Sequence, residues 1–222
     1  MKAAPLPVVV LVSGSGSNLQ ALIDGQRSGE LPIVIRAVIS NRADAYGLER
    51  ARVAGITTET LDHREFPDRE SYDAALQQRI DAHTPGLVVL AGFMRILTDG
   101  LVEHFRGRML NIHPSLLPAF RGLHTHRRAL EAGHEQHGCS VHFVTPALDA
   151  GPLIIQGVVC VLPEDTEEQL AARVQQQEHR IYPLAVRWCA EGRLRLDGDT
   201  AMLDGRPLEA PVSIGPETPL PA

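Results

Sequence analysis

The sequence predicts an α/β protein of three layers, a mostly parallel, twisted sheet of about seven strands with helices on both faces. Three observations predict it. Short apolar runs rich in β-branched residues recur along the chain, segments with helical spacing separate them, and the first run ends in a glycine-rich turn before a helical pattern. Continuous apolar strands are buried on both faces, as in parallel sheets whose crossover connections are helices.

The runs lie at 8–12, 33–40, 56–61, 87–91 and 109–113, each bounded by Gly, Pro or polar residues. Between them, Tyr72, Leu76 and Ile80 share one face of a helix expected over 69–83. A further helix is expected from Thr125 to near Gly133, then strands at 140–144 and 153–162. Thr166 suits a helix N-cap, with Glu167, Glu168 and Gln169 in a first turn where negative charge favours the dipole. Leu170, Val174, Ile181 and Leu184 keep one apolar stripe on that helix, and Pro183 is expected to kink it. Leu194 and Leu196, then Met202 and Leu203, flank Asp197-Gly198-Asp199, the pattern of a hairpin. Residues 1–208 are expected to form one domain. The stretch 209–222 holds Pro211, Pro216, Pro219 and Pro221 among few apolar groups and is expected to be disordered.

Composition narrows the function classes. The 222 residues are 44% hydrophobic and 22% charged, an ordinary profile for a globule with a packed core. A formal charge of -6, with basic residues scattered, argues against a nucleic-acid partner. Cys139, Cys160 and Cys189 lack metal-ligand spacing and are expected as free thiols in a reducing compartment. The apolar run at 8–12 is too short for a bilayer, so a cytoplasmic protein with no membrane partner is expected. His124, His126, His134 and His137 lack the paired short repeats of a zinc site, and no metal is expected.

Three motifs carry candidate chemistry. Ser13-Gly14-Ser15-Gly16-Ser17-Asn18 lies between a strand and a helix, where glycines permit a tight turn and free N–H groups attract an anion. It lacks the third glycine of a dinucleotide fingerprint and the Gly-Lys-Ser/Thr of a P-loop, so a small phosphomonoester fits better than a nicotinamide cofactor or ATP. The bland alternative is a plain turn capped by Asn18. In Asn111-Ile112-His113-Pro114, Asn111 and His113 stand two apart on a strand and leave the same face at its C-terminal end. An amide beside an imidazole can stabilise an oxyanion and shuttle a proton, which acyl transfer to an amine requires. In Thr145-Pro146-Ala147-Leu148-Asp149-Ala150-Gly151, Asp149 could meet His113 through the fold or merely cap its turn. Gly92-Phe93-Met94-Arg95-Ile96-Leu97 could wall an apolar slot, and Gln175 and Glu178, three apart, share a helix face.

In order and spacing, these segments resemble the folate-dependent formyltransferase family, from about Val8 to Leu208. The most specific parts are Ala91 to Leu97, Leu110 to Pro118, Gly138 to Gly151 and Gln175 to Glu178. The resemblance implies a Rossmann-like fold, an N-terminal half that binds a nucleotide and a C-terminal half that completes a folate site. It implies 10-formyltetrahydrofolate as formyl donor and 5-phosphoribosylglycinamide as acceptor, within purine biosynthesis, by a monomer or homodimer. Asn111, His113 and Asp149 then match a catalytic trio: amide on the formyl oxygen, imidazole supplying a proton, carboxylate favouring the charged imidazole. Gly16, Ser17 and Asn18 match the phosphate loop, and Gln175, Gln176, Gln177 and Glu178 the segment facing the ribosyl glycinamide. Arg69, Met94, Arg95, Ile96 and Leu97 match folate contacts, as do Asn111 and the loop Thr145, Pro146, Ala147, Leu148 and Asp149. Pro146 departs from the family pattern and removes a main-chain N–H from that loop.

Relatives that formylate tRNA carry an additional C-terminal domain, and those that hydrolyse the folate carry an N-terminal one. With about thirty residues after Gly192 and seven before Val8, neither is expected here. A binding module of the same fold without catalysis would have no use for Asn111, His113 and Asp149 together.

Overall fold

A computed structural model describes residues 4–221. Eleven strands and six α-helices are present among them: β1 Leu6–Val12, α1 Ser17–Ser28, β2 Ile33–Ser40, α2 Tyr46–Val53, β3 Thr57–Thr60, α3 Arg69–Ala82, β4 Leu87–Leu90, α4 Asp99–His104, β5 Met109–His113, α5 Thr125–Glu131, β6 Gln136–Phe143, β7 Leu153–Cys160, α6 Glu167–Ala190, β8 Leu194–Asp197, β9 Thr200–Leu203, β10 Arg206–Pro207 and β11 Val212–Ile214. The main sheet has eight strands in the order β11-β7-β6-β5-β4-β1-β2-β3. It is parallel except at β6, which runs antiparallel to both β5 and β7. The expected mostly parallel sheet with helices on both faces is therefore present.

The apolar runs do what continuous hydrophobicity dictates. Residues 8–12 of β1 and all of β4 are buried, and two clusters cover the two faces of the sheet. One packs Leu19, Leu22 and Ile23 of α1 and Val174, Ile181 and Trp188 of α6 against alternate strand residues; the other packs Tyr72, Leu76 and Ile80 of α3. The expected face of α3 is thus its buried face. On α6 the Thr166 cap closes a full capping box with Gln169, and the helix continues across Pro183. The Tyr182 hydroxyl, fully buried, donates to the carbonyls of Leu90 and Leu110, which locks α6 over the last residue of β4 and the second of β5.

The hairpin is formed by β8 and β9, extended to three strands by β10. All three cysteines are free.

The Pro-rich stretch departs from expectation. Val212–Ile214 adds a parallel edge strand to β7, making the sheet eight strands instead of seven, so this part of the stretch is not disordered. Ile214 is buried, and Arg180 on α6 donates to the carbonyls of Gly215, Pro216 and Thr218. Three residues suffice as a strand because a neighbouring edge supplies the ladder and a helix cation ties down the residues beyond it. Local composition carries no trace of either partner.

Replacing Ile214 by Ala should cost roughly 2–5 kcal/mol, the usual range for a buried large-to-small change. Urea denaturation of the full chain checks this, and a midpoint equal to that of the unsubstituted protein would return the stretch to a free tail.

Candidate active site

Strand order reverses at β1, which sits between β2 on one side and β4 on the other. Loops leaving such a switch point diverge to opposite faces and open a crevice at the C-terminal edge of the sheet. The loop of residues 13–18 follows β1 there and leads into α1. Gly16 is in the left-handed region at φ 69°, and a Cβ on it would fall 2.6 Å from the Cα of Gly47 on α2. Only glycine fits both demands. The first turn of α1 has no side-chain cap and no acidic residue. Its N–H groups and dipole are left for an anion. Asn18 is therefore not a cap.

Asn18 instead donates to Glu178 Oε2 at 2.8 Å, and Gln175 Nε2 donates to Ser17 Oγ at 3.1 Å. The helix face read from the three-residue spacing meets the glycine loop at both positions. Gln176 and Gln177 are not brought to it: Gln176 is exposed, and Gln177 is buried with its Oε1 accepting from Arg180. Burial pushes the Glu178 carboxyl above its ordinary range, and the Asn18 amide pulls it partly back.

Next along the edge, β5 ends in Asn111 and His113. The carboxylate Oδ2 of Asp149 lies 3.4 Å from His113 Nδ1 and accepts the Gly122 N–H at 2.9 Å. Nε2 of the same ring is 3.0 Å from the carbonyl of Phe120. Asp149 thus stands beside Nδ1 as a charge partner for the ring, while Nε2 faces a backbone acceptor. Asp149 reaches this position with φ 47°, a left-handed conformation that aspartate tolerates better than most residues. Two residues on, a Cβ at Gly151 would overlap the carbonyl oxygen of Phe143, so the turn closes only with glycine.

His142 was not singled out in the sequence, yet it orients Asn111. In the antiparallel β5–β6 pair the two are directly opposite, and Asn111 Nδ2 is 3.1 Å from His142 Nε2. His142 Nδ1 donates to the Phe143 carbonyl at 2.8 Å, which leaves Nε2 as the acceptor. Burial lowers the His142 pKa, against the opposing effects of that carbonyl and of Asp149, and favours this neutral form. Asn111 keeps one amide N–H free.

Beside the trio is a cavity of about 110 Å³. Its walls include Arg95, Ile96, Leu97, Asn111, Thr145, Pro146, Leu148 and Asp149 from the expected set. Ala147 and Arg69 are not among its walls; Arg69 stands in the first turn of α3 beside Glu70. Met94 lines a second cavity of about 150 Å³ shared with residues 13–18. Phe93, from the segment expected to wall an apolar slot, and His142 line the first cavity too; Leu90, Val102 and Val144 complete it and are not marked by the sequence, since core and cavity-lining hydrophobes look alike there. Among the described residues, no three His, Cys, Asp or Glu side chains are grouped to hold a metal ion, and no helix is long and apolar enough to cross a membrane.

An uncapped helix start and a largely apolar cavity on one sheet edge, with a His–Asp pair beside the cavity, suit an α/β group-transfer enzyme with two small substrates. Residues 6–186 match the formyl transferase family, and the chain belongs to it. It is 57% identical over 201 residues to the phosphoribosylglycinamide formyltransferase of Escherichia coli, covering 90% of this chain and 95% of that protein. The human trifunctional purine biosynthetic protein adenosine-3 is 46% identical over 189 residues, 85% of this chain and 19% of that longer protein. In structure, the phosphoribosylglycinamide formyltransferase of Coxiella burnetii superposes with a TM-score of 0.91 at 54% identity, over 95% of this chain and 99% of that one.

The raised carboxyl of Glu178 has a testable consequence for stability. A carboxyl pKa raised by folding makes its contribution most favourable below the unfolded value near 4.5, and that contribution is lost as pH rises through the folded value. Glu178→Gln should therefore flatten the fall of stability with pH above 4.5 and be no less stable than the parent near neutrality. Urea melts at several pH values check this; a Gln variant that is weaker by the same amount at every pH would contradict it.

Proposed function

We infer that the chain transfers the formyl group of 10-formyltetrahydrofolate to the amine of 5-phosphoribosylglycinamide, giving the N-formyl product and tetrahydrofolate in purine biosynthesis. The observation that carries this reading is a largely apolar cavity walled by Asn111 and Asp149, with His113 3.4 Å from Asp149, at the sheet edge that also carries an uncapped helix start. In the proposed division of the site, the N–H groups at Gly16, Ser17 and Asn18 hold the phosphate. Gln175 and Glu178 face the ribosyl glycinamide. The cavity between residues 93–97 and 144–149 takes the pterin, with Arg69 near the distal end of the folate.

The amine attacks the formyl carbon, a C–N bond forms, and charge gathers on the formyl oxygen. The free N–H of Asn111 donates to that oxygen, and the positive charge of protonated His113 offsets the charge that gathers there. His113 gives a proton to N10 as the bond from N10 to carbon breaks, and the neutral ring takes up the proton that the amine loses. Asp149 holds the imidazolium in place and offsets its charge in a buried setting. Pro146 contributes ring surface and no N–H to the folate, so the loop reads the pterin through its remaining groups. The same reading has the enzyme act in the cytoplasm on small molecules, without nucleic acid or a resident metal, as a monomer or homodimer.

Mixing both substrates with the purified chain should convert them without ATP, followed by the absorbance change of the folate; deformylation that runs equally well without the amine substrate would sink the assignment. Asp149→Asn and His113→Ala should each lower kcat on the order of a hundredfold, the scale of a lost general acid. Their combination should cost less than the product of the two, because they act as a unit. Asn18→Ala should raise the nucleotide KM on the order of tenfold while leaving the folate KM near its starting value, and equal weakening of both would refute the division of the site.

A further inference from the structure

One hydroxyl outside the catalytic trio joins the loops assigned to the two substrates. Ser13, just beyond β1, is almost fully buried. Its backbone N–H donates to the Gly92 carbonyl at 3.0 Å, and its Oγ accepts the Met94 N–H at 2.8 Å. The hydroxyl proton goes to Asn41 Oδ1 at 2.6 Å. Asn41 follows β2, is itself buried, and places its Nδ2 3.4 Å from His63 Nδ1. The β1–β4 ladder thus continues past its last residue through a side chain, and the loops after β1, β2 and β4 share one oxygen.

The position of Met94 makes this contact more than a brace. Its side chain is 69% exposed and lines the cavity of residues 13–18, whereas Arg95, Ile96 and Leu97 line the cavity of the catalytic trio. Consecutive residues of one segment thus serve both cavities, Gly92 and Met94 the one and Phe93 and Arg95 the other. The far end of the same segment is pinned separately: the Thr98 N–H donates at 2.5 Å to Oδ2 of Asp73, a buried residue of α3. A segment held at its far end by Asp73 and at its near end by the backbone N–H and hydroxyl of Ser13 transmits a shift of the near end along its length.

We propose that Ser13 is a positioning residue that couples the two substrate sites, so that filling either one sets residues 92–97 for the other. This rests on the assignment of residues 16–18 to the nucleotide phosphate and 94–97 to the folate. Coupling is reciprocal: the factor by which one ligand tightens the other is the same in both directions.

Tetrahydrofolate, which carries no formyl group to transfer, and 5-phosphoribosylglycinamide are titrated into the full chain by calorimetry, each alone and each in the presence of the other. In the parent protein each should lower the Kd of the other by the same factor, about fivefold or more. Ser13→Ala should bring that factor close to one while each Kd measured alone stays within about threefold, a split that a purely structural bond would not produce. Asp73→Asn should weaken tetrahydrofolate alone and keep the coupling. An uncoupled parent, or a Ser13→Ala protein with coupling intact, overturns the proposal. A parent that fails to bind one of the two ligands overturns the substrate assignment instead. If Ser13→Ala lacks a cooperative melt, Asn41→Ala removes the hydroxyl's acceptor and should at least halve the coupling factor; an unchanged factor there also overturns the proposal.

Discussion

The crevice at the C-terminal edge of the sheet exists because β1 has a neighbour on each side that the chain reaches by different routes, β2 directly and β4 only after β3 and α3. Connections leaving β1 and β4 cannot fill the space between them, since right-handed crossovers carry them to opposite faces. Everything the site uses is hung on that gap. The loop of residues 13–18 lies at it, residues 91–98 run beside it, and β5, the next strand along, delivers Asn111 and His113. Tyr182, by bridging the carbonyls of Leu90 and Leu110, ties β4 to β5 beneath α6.

Electrostatics then divides the gap into two regions of opposite demand. Around α1 the protein withholds its own negative charge from the helix start, as an anion site requires. The nearest carboxylate, Glu178, is held by Asn18 and burial works against its charge. Around β5 the protein supplies charge instead: Asp149 faces His113, while His142 is kept neutral by burial and serves as an acceptor for Asn111. Two histidines on adjacent strands therefore have different work, and their neighbours decide which.

Much of this was legible in the residues. Apolar runs located the seven strands to within a few residues, because burial of the central strands on both faces leaves no alternation to blur them; β3, with no buried residue, was marked by its β-branched threonines. The Thr166 cap and the stripe from Leu170 to Leu184 marked α6, and the spacing of Gln175 and Glu178 placed both on the face that meets Ser17 and Asn18. Asn111 and His113 stood out because a period of two puts both on one face of a strand. Less was readable where a role depends on a partner distant in sequence. His142 gains its function from the β5–β6 register, Ser13 from a loop some eighty residues away, and β11 from an edge that its composition does not announce.

The sequence by itself determined the alternation of strands and helices, the glycine turn at the first crossover and the three segments that carry the chemistry, because each is a local matter of periodicity, backbone freedom or spacing. Tertiary structure alone decided which of those residues meet. The approach of Asp149 to His113, the turning of Gln177 toward Arg180 instead of the anion loop, and the eighth strand all depend on contacts between segments far apart in the chain. Such contacts are set by packing and strand register, and neither is encoded within the short window of residues on which a local reading rests.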